Sequence, residues 1–222
     1  MPAPLSHAEE DYLKAIYELA EDSGKVSTSA LAERVGHKPG SVTGMLQQLA
    51  KEKPRLVDYE RHRGVSLTPA GEQIALEVIR HHRLIELYLA EALGYEWDKV
   101  DAEAEKLEHV ISEEFEDKIS AMLGDPTVDP HGDPIPAKDG SVVPPSRTTL
   151  SEVEPGQTAR VARVRDEDPA LLRYLAELGI VPEAVITVAE RAPFDGPIHV
   201  MVGKQDHALG RSVTDRVFVV VA

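Results

Sequence analysis

Four potential metal ligands stand close together in one segment of the sequence. They are Asp101, Glu105, Glu108 and His109. A helix over about residues 99–123 would turn by about 100° per residue and would gather all four side chains within an arc of about 100°. The apolar side chains of that helix would lie beside the arc, so the ligands would be partly buried. Carboxylates packed together at such a border are costly unless a cation offsets their charge, and the spacing therefore indicates a cation site.

The types of donor atom restrict which metal ions could bind. Imidazole and carboxylates without a thiol form a hard, oxygen-rich set, and the chain contains no Cys. Such a set suits Mn²⁺ or Fe²⁺ better than soft ions. His82 and Glu86, four residues apart on the preceding predicted helix, and Asp11 on the first helix are further potential ligands. The alternative is an acidic face that is simply solvated, which is our interpretation of Glu113, Glu114 and Glu116.

A second region of the sequence could contact nucleic acid. The net charge is −15, which argues against a generic nucleic-acid-binding protein. Between Val26 and Ala70, however, seven Lys and Arg face four Asp and Glu, whereas between Ile85 and Asp129 three Lys face fourteen Asp and Glu. The first region could face phosphate, and the second suits cations or is merely solvated.

The basic region contains three predicted helices followed by two predicted strands. Helical periodicity predicts helices over about 6–20, 30–35 and 39–50, followed by strands near 56–60 and 64–68. This order predicts a winged helix-turn-helix, whose third helix enters a major groove while the wing meets phosphates. The residues expected at DNA are Thr28, Lys38, Pro39, Gly40, Ser41, Thr43, Gln47, Arg61 and Arg63. Winged helices also serve as protein-interaction modules, so that alternative stays open.

The rest of the sequence predicts two long helices, a Pro-rich segment and a small barrel. Helices are expected over about 71–93 and 99–123, the second with Asp98 as its N-cap. The Pro-rich segment 124–148 excludes a helix or a central strand. Beyond it, short β-branched segments and one helix near 169–178 predict a small barrel.

With these elements in this order, the sequence resembles the diphtheria toxin repressor family of metal-dependent transcription repressors. The resemblance covers nearly the whole chain. It is carried by the segments 11–17, 41–43, 67–71, 82–86, 105–109 and 130–136, the last of which is Pro-His-Gly-Asp-Pro-Ile-Pro. Each segment is short, and their joint order and spacing make the match specific.

The resemblance implies an α+β homodimer with three domains. These are a winged helix-turn-helix over 1–71, a helical dimerisation and metal-binding domain over 72–148, and an SH3-like (FeoA-type) β-barrel over 149–222. It implies a main metal site on Asp11, Glu105, Glu108 and His109, and a second site on His82 and Glu86 with Asp101 nearby. An acid from the barrel is expected at the second site, where Glu167 fits best and Asp166 and Asp168 compete. Asp11 and Glu105 stand where the iron-responsive branch has Met and Cys, which indicates the manganese branch.

The sequence therefore predicts a manganese-activated repressor that binds double-stranded operator DNA and controls metal-uptake genes. Iron activation within the same family is the alternative. A metallohydrolase would use similar ligands, but the sequence has no zincin motif, phosphate loop or nucleophile elbow, so we expect neither an enzyme nor a small-molecule substrate. A metal-independent regulator whose barrel binds a peptide or protein is a third possibility. No signal peptide or apolar run of membrane-spanning length is evident, so a cytoplasmic location is expected.

Overall fold

The structure is a computed structural model that describes residues 5–165, 168–194 and 196–222. The chain divides into two compact units. One contains the described residues up to His81 together with Pro136–Ser141, and the other contains His82–Ile135 and Val142–Ala222.

The first unit is the predicted winged helix-turn-helix. Its elements are α1 (His7–Ser23), α2 (Thr28–Arg34), α3 (Pro39–Leu49), β1 (Val57–Glu60), β2 (Gly64–Leu67) and the first half of α4 (Pro69–Leu93). The Glu9 carboxylate accepts from the Ser6 backbone N–H at 2.8 Å, as expected for a capping box. Pro39 occupies the first turn of α3, where its missing N–H costs nothing. One apolar core, including Leu13, Ile16 and Leu46, holds these helices against the antiparallel β1–β2 pair.

The second unit corrects the predicted helix over 99–123. Two helices take its place, α5 (Val100–Leu107) and α6 (Glu113–Met122). The Glu108 N–H still bonds to the Ala104 carbonyl, and a turn follows. Ser112 then starts a new helix by accepting from the Phe115 N–H at 3.3 Å. Three acids in the first turn of α6 favour this start because they meet the positive end of the helix dipole.

Asp98 does not cap the helix that follows it, although the sequence predicted this role. Lys99 precedes α5 and makes no side-chain capping bond. The buried Asp98 carboxylate instead accepts from Arg173 Nη1 at 2.7 Å. A buried carboxylate is satisfied better by a guanidinium than by a single backbone N–H, which explains the different role.

The described residues from 149 onward, the predicted barrel, form a five-stranded antiparallel sheet with the helices α7 and α8 and a 3-10 turn over Leu150–Glu152. Its elements are β3 (Thr158–Val164), α7 (Pro169–Glu177), β4 (Val185–Arg191), β5 (Ile198–Val202), β6 (Gln205–Leu209), α8 (Arg211–Thr214) and β7 (Val217–Val221). The strands follow the order β6-β5-β4-β3-β7. Leu172 and Leu175 of α7 pack into the apolar core of the sheet. Strand β6 is not among the segments predicted from the sequence, which lie near 159–164, 185–189, 198–202 and 217–221.

Among the described residues, none of the helices combines the length and the apolar character needed to cross a membrane.

Candidate metal centre

His82 lies on α4 and is surrounded by carboxylates of the second unit. Its Nδ1 contacts Glu108 Oε2 at hydrogen-bond distance and lies 3.8 Å from Glu105 Oε2. Its Nε2 lies 3.5 Å from Glu86 Oε1 and 3.4 Å from Asp101 Oδ1. The imidazole and the Glu86 and Glu108 carboxylates are buried. Both ring nitrogens therefore face negative charge in a setting that water screens poorly.

Glu108 connects this group to His109. The residue stands at the C-terminal end of α5, and its side chain is fully buried. One carboxylate oxygen faces His82, and the other lies 3.3 Å from His109 Nε2. Because α5 ends at Leu107, His109 belongs to the following turn and not to the helical arc that the sequence predicted. The turn nevertheless keeps its imidazole beside Glu108.

A further buried group joins Glu86 to the Pro-rich segment. Glu86 Oε1 lies 3.5 Å from His131 Nδ1, and oxygen or nitrogen atoms of Glu86, Asp129 and His131 lie within 4.8 Å of one another. His131 Nε2 lies 2.9 Å from the Trp97 carbonyl oxygen, which can only accept. Nε2 therefore carries the proton, and in the neutral ring Nδ1 presents a lone pair to Glu86. This arrangement is typical of a metal-ligating histidine held by its other nitrogen.

The turn that carries Asp129 and His131 is built by Asp129 itself. Asp129 Oδ1 accepts from the backbone N–H groups of His131, at 2.8 Å, and Asp133, at 2.9 Å. The pKa of the Asp129 carboxyl is raised to about 7, first by burial and then by the neighbouring Glu86 and Asp133 carboxylates, while Arg83 and His131 oppose the shift. A carboxyl that resists ionisation in this way is the expected signature of negative charge gathered without a compensating cation.

These groups fit a divalent cation. Glu86, Glu108 and Asp129 are buried, and Arg83 Nε lies 3.6 Å from Asp129 Oδ2 as a partial counter-charge. A hard cation bound by carboxylate oxygens and deprotonated imidazole nitrogens would offset the repulsion and remove the need for a proton on Asp129. All donors are oxygen or nitrogen, the set that Mn²⁺ and Fe²⁺ accept.

The other expected ligands have different environments. Glu105 is exposed and Asp101 is half-buried, and both face His82 from α5. Asp11 is half-buried on α1 in the first unit. The expected barrel ligand Glu167, and its competitor Asp166, lie outside the described residues. Asp168 caps α7 by accepting from the Ala170 N–H at 2.9 Å.

Asp129 and His131 are not among the ligands predicted from the sequence. His131 enters there only through the segment 130–136, which contributes to the family resemblance. A carboxylate and an imidazole two residues apart, directly before Gly132, offered a signal. The decisive fact, their proximity to Glu86, arises only when the Pro-rich segment folds back onto α4.

The residues expected at DNA lie on α2, α3 and the β1–β2 turn of the first unit. Most of them are exposed: Lys38, Pro39, Gly40, Ser41, Gln47, Arg61 and Arg63. Thr28 and Thr43 are half-buried, and the Thr43 hydroxyl donates to the Pro39 carbonyl at 3.0 Å. Arg63 pairs with Glu60 at 3.1 Å, a contact that an exposed arginine can exchange for phosphate at small cost.

Three known domain families match the chain in succession. Residues 4–65 match the iron dependent repressor N-terminal DNA binding domain, and residues 68–137 match the iron dependent repressor metal binding and dimerisation domain. Residues 148–221 match the FeoA domain. The predicted fold class is thereby confirmed: a helix-turn-helix DNA-binding domain, a helical dimerisation domain and an SH3-like β domain.

Similar proteins and solved structures cover most of the chain. The iron-dependent repressor IdeR of Mycobacterium leprae is 32% identical over 213 residues, 90% of this chain and 91% of that protein. A manganese-dependent transcriptional repressor in complex with manganese superposes with a TM-score of 0.88 at 40% identity, over 96% of this chain and 100% of that one. The manganese regulator SloR superposes with a TM-score of 0.79 at 30% identity, over 96% of this chain and 98% of that one.

Proteins of this kind are transcriptional regulators and not enzymes. Together with the matched domains, the site geometry and the exposed basic side chains of the first unit, the relatives confirm the resemblance seen in the sequence. The chain belongs to the diphtheria toxin repressor family of metal-dependent, DNA-binding transcriptional repressors.

Proposed function

We propose that this protein is a manganese-activated repressor of metal-uptake genes. The observation that carries the proposal is the donor set around His82, which consists of carboxylate oxygens and imidazole nitrogens. Thiolate and thioether ligands would favour softer ions, whereas carboxylates suit Mn²⁺. Solved structures described as manganese-dependent support this choice, and relatives described as iron-dependent make Fe²⁺ the alternative.

Two neighbouring centres would hold the cations. The first would use Glu105, Glu108 and His109, to which the family resemblance adds Asp11 of α1. The second would use Glu86, Asp129 and His131. His82 and Asp101 lie between these sets and would complete either one. When bound, the metal supplies positive charge that lets these carboxylates stay ionised in a buried setting.

The chain's own residues would convert binding into DNA recognition. Asp11 sits on α1 of the winged helix-turn-helix, so sharing a cation with Glu108 and His109 would favour one placement of that module in the homodimer. Two α3 helices would then enter successive major grooves of an operator about one helical turn apart. By linkage, operator DNA must tighten metal binding by the same factor by which metal tightens DNA binding.

The test is capture of genomic DNA fragments by metal-stripped protein, alone and with Mn²⁺, Zn²⁺ or, anaerobically, Fe²⁺. We expect specific fragments to be retained with Mn²⁺ and lost on chelation. His109→Ala should abolish metal-dependent retention without changing the circular dichroism spectrum. His199→Ala, on the barrel, is the matched control and should behave like the unmodified protein. Equal retention with and without metal would refute metal activation, and retention only with Fe²⁺ would refute the choice of manganese.

A further inference from the structure

Strand β3 of the barrel forms one wall of the turn that carries Asp129 and His131. The Val164 N–H donates to the His131 carbonyl at 2.9 Å, so the sheet fixes the backbone of His131, one of the donors of the second centre. Gly132 has φ +89°, and a Cβ built there would lie 2.1 Å from the Ala162 carbonyl oxygen and 2.8 Å from Arg163 Cα. Only glycine allows this close approach of two backbones.

Arg163 extends this contact with a buried charge. Arg163 is only 4% exposed, and its Nη1 lies 2.6 Å from Asp133 Oδ1. The guanidinium carbon lies 4.2 Å from the centre of the Phe218 ring on β7, which fixes the group from the other side. A buried arginine needs a charged partner, and among the described contacts Asp133 is the carboxylate paired with it.

Asp133 in turn is tied to the metal-facing carboxylate. Its backbone N–H donates to Asp129 Oδ1 at 2.9 Å, and its Oδ1 lies 3.9 Å from Arg83 Nη2. Arg83 Nη1 also donates to the Pro134 carbonyl at 2.6 Å. The position of Asp129 is therefore set from two sides, by Arg83 of α4 and, through Asp133, by Arg163 of the barrel.

We propose that Arg163 is a positioning residue for the second metal centre, and that the barrel raises metal affinity by holding the 129–133 turn in its ligating form. This inference rests on the proposed function, since it assumes that Glu86, Asp129 and His131 bind a cation. It assigns β3 a role that needs no ligand from the barrel. Without Arg163, Asp133 would lose its strongest partner, and the turn would sample positions in which Asp129 and His131 do not face Glu86.

The experiment compares Arg163→Gln with Arg173→Gln in the full chain. Arg173 also pairs with a buried aspartate, Asp98 at 2.7 Å, and among the described contacts this partner lies outside the 129–133 turn. Mn²⁺ titration, with free Mn²⁺ counted by electron paramagnetic resonance, should show one class of sites weakened about tenfold or more in Arg163→Gln, the usual effect of losing an outer partner of a ligand. Arg173→Gln should bind Mn²⁺ as the unmodified chain does, and Arg163→Lys should recover part of the affinity.

A second readout needs no metal. In the metal-free protein, hydrogen exchange at the amides of Asp133 and Val164 should accelerate about tenfold in Arg163→Gln but not in Arg173→Gln. Asp133→Asn removes the same ion pair from the turn and should reproduce both effects if Arg163→Gln does not fold. Unchanged exchange and unchanged Mn²⁺ affinity in these variants would overturn the positioning role while leaving the proposed function intact. Failure of the unmodified chain to bind Mn²⁺ would overturn the proposed function, and with it this role.

Discussion

Lowering the pH from 8 to 6 should weaken Mn²⁺ binding at the second centre about tenfold through Asp129 alone. The pKa of this carboxyl is raised from 3.8 to about 7 by burial and then by the nearby Glu86 and Asp133 carboxylates. A group with a pKa near 7 is about nine-tenths protonated at pH 6 and about one-tenth at pH 8. Because only the carboxylate can ligate, the apparent affinity follows the ionised fraction, which changes about tenfold. An aspartate with an ordinary pKa would change nothing in this range.

The same shift has a definite sign for stability. Between pH 4 and 7 the folded metal-free protein keeps a proton on Asp129 that the unfolded chain has released. This contribution to stability is therefore fully present below about pH 4 and is lost as the pH rises through about 7. Metal should stabilise the fold most strongly above pH 7, where no proton competes and the buried charge is otherwise uncompensated.

Calorimetric titration of Mn²⁺ in buffers of different ionisation enthalpy measures the protons released. At pH 6 the unmodified chain should release about 0.9 more protons than Asp129→Asn, and at pH 8 about 0.1 more. Equal proton release at pH 6 would refute the reasoning. If Asp129→Asn binds no Mn²⁺, a ¹³C titration of the Asp129 carboxyl in the metal-free protein decides, and a midpoint near pH 4 would refute it.

Two further predictions concern the first unit. Tyr12→Phe removes a 2.9 Å hydrogen bond between the hydroxyl of the buried Tyr12 and His37 Nδ1, next to the start of α3. The change should lower the free energy of unfolding by about 1 kcal/mol in urea titrations, and an unchanged midpoint would mean that this bond does not stabilise the fold. Gly71→Ala places a Cβ 2.1 Å from the Leu56 carbonyl oxygen and should cost on the order of 1–3 kcal/mol. Gly44→Ala, where nothing lies within 4 Å, is its control and should be neutral or stabilising.

Local patterns in the sequence predicted most of the elements, and the exceptions have physical reasons. The break between α5 and α6 was missed because Leu107, Ile111 and Phe115 continue the four-residue apolar spacing across it. The capping signal was present in Ser112 and the acids after it, but periodicity outweighed it. Strand β6 was missed because it is an edge strand whose residues, apart from Leu209, are exposed or half-buried and mostly polar.

The candidate metal centre was predictable only in part. Spacing on α4 and α5 grouped His82 and Glu86 with the acids of the next helix, because helical geometry fixes which residues share a face. The participation of Asp129 and His131 depends on the path of a loop with few regular hydrogen bonds, which no periodicity encodes. The loop is held against β3 at Gly132 and by the ion pair between Asp133 of the loop and Arg163 of β3. These contacts join segments that are distant in the sequence.

The position of His82 means that the two proposed centres cannot be independent. A neutral imidazole has one lone pair and one proton, and here Nδ1 faces Glu108 while Nε2 faces Glu86 and Asp101. If Nδ1 ligates a cation held with Glu108, Nε2 must carry the proton, and it then faces Glu86 and Asp101 with an N–H group and not with a lone pair. If Nε2 ligates instead, Nδ1 donates to Glu108. Cation binding at one centre therefore changes which atoms can ligate a cation at the other. The two centres are coupled through the tautomer of the buried His82.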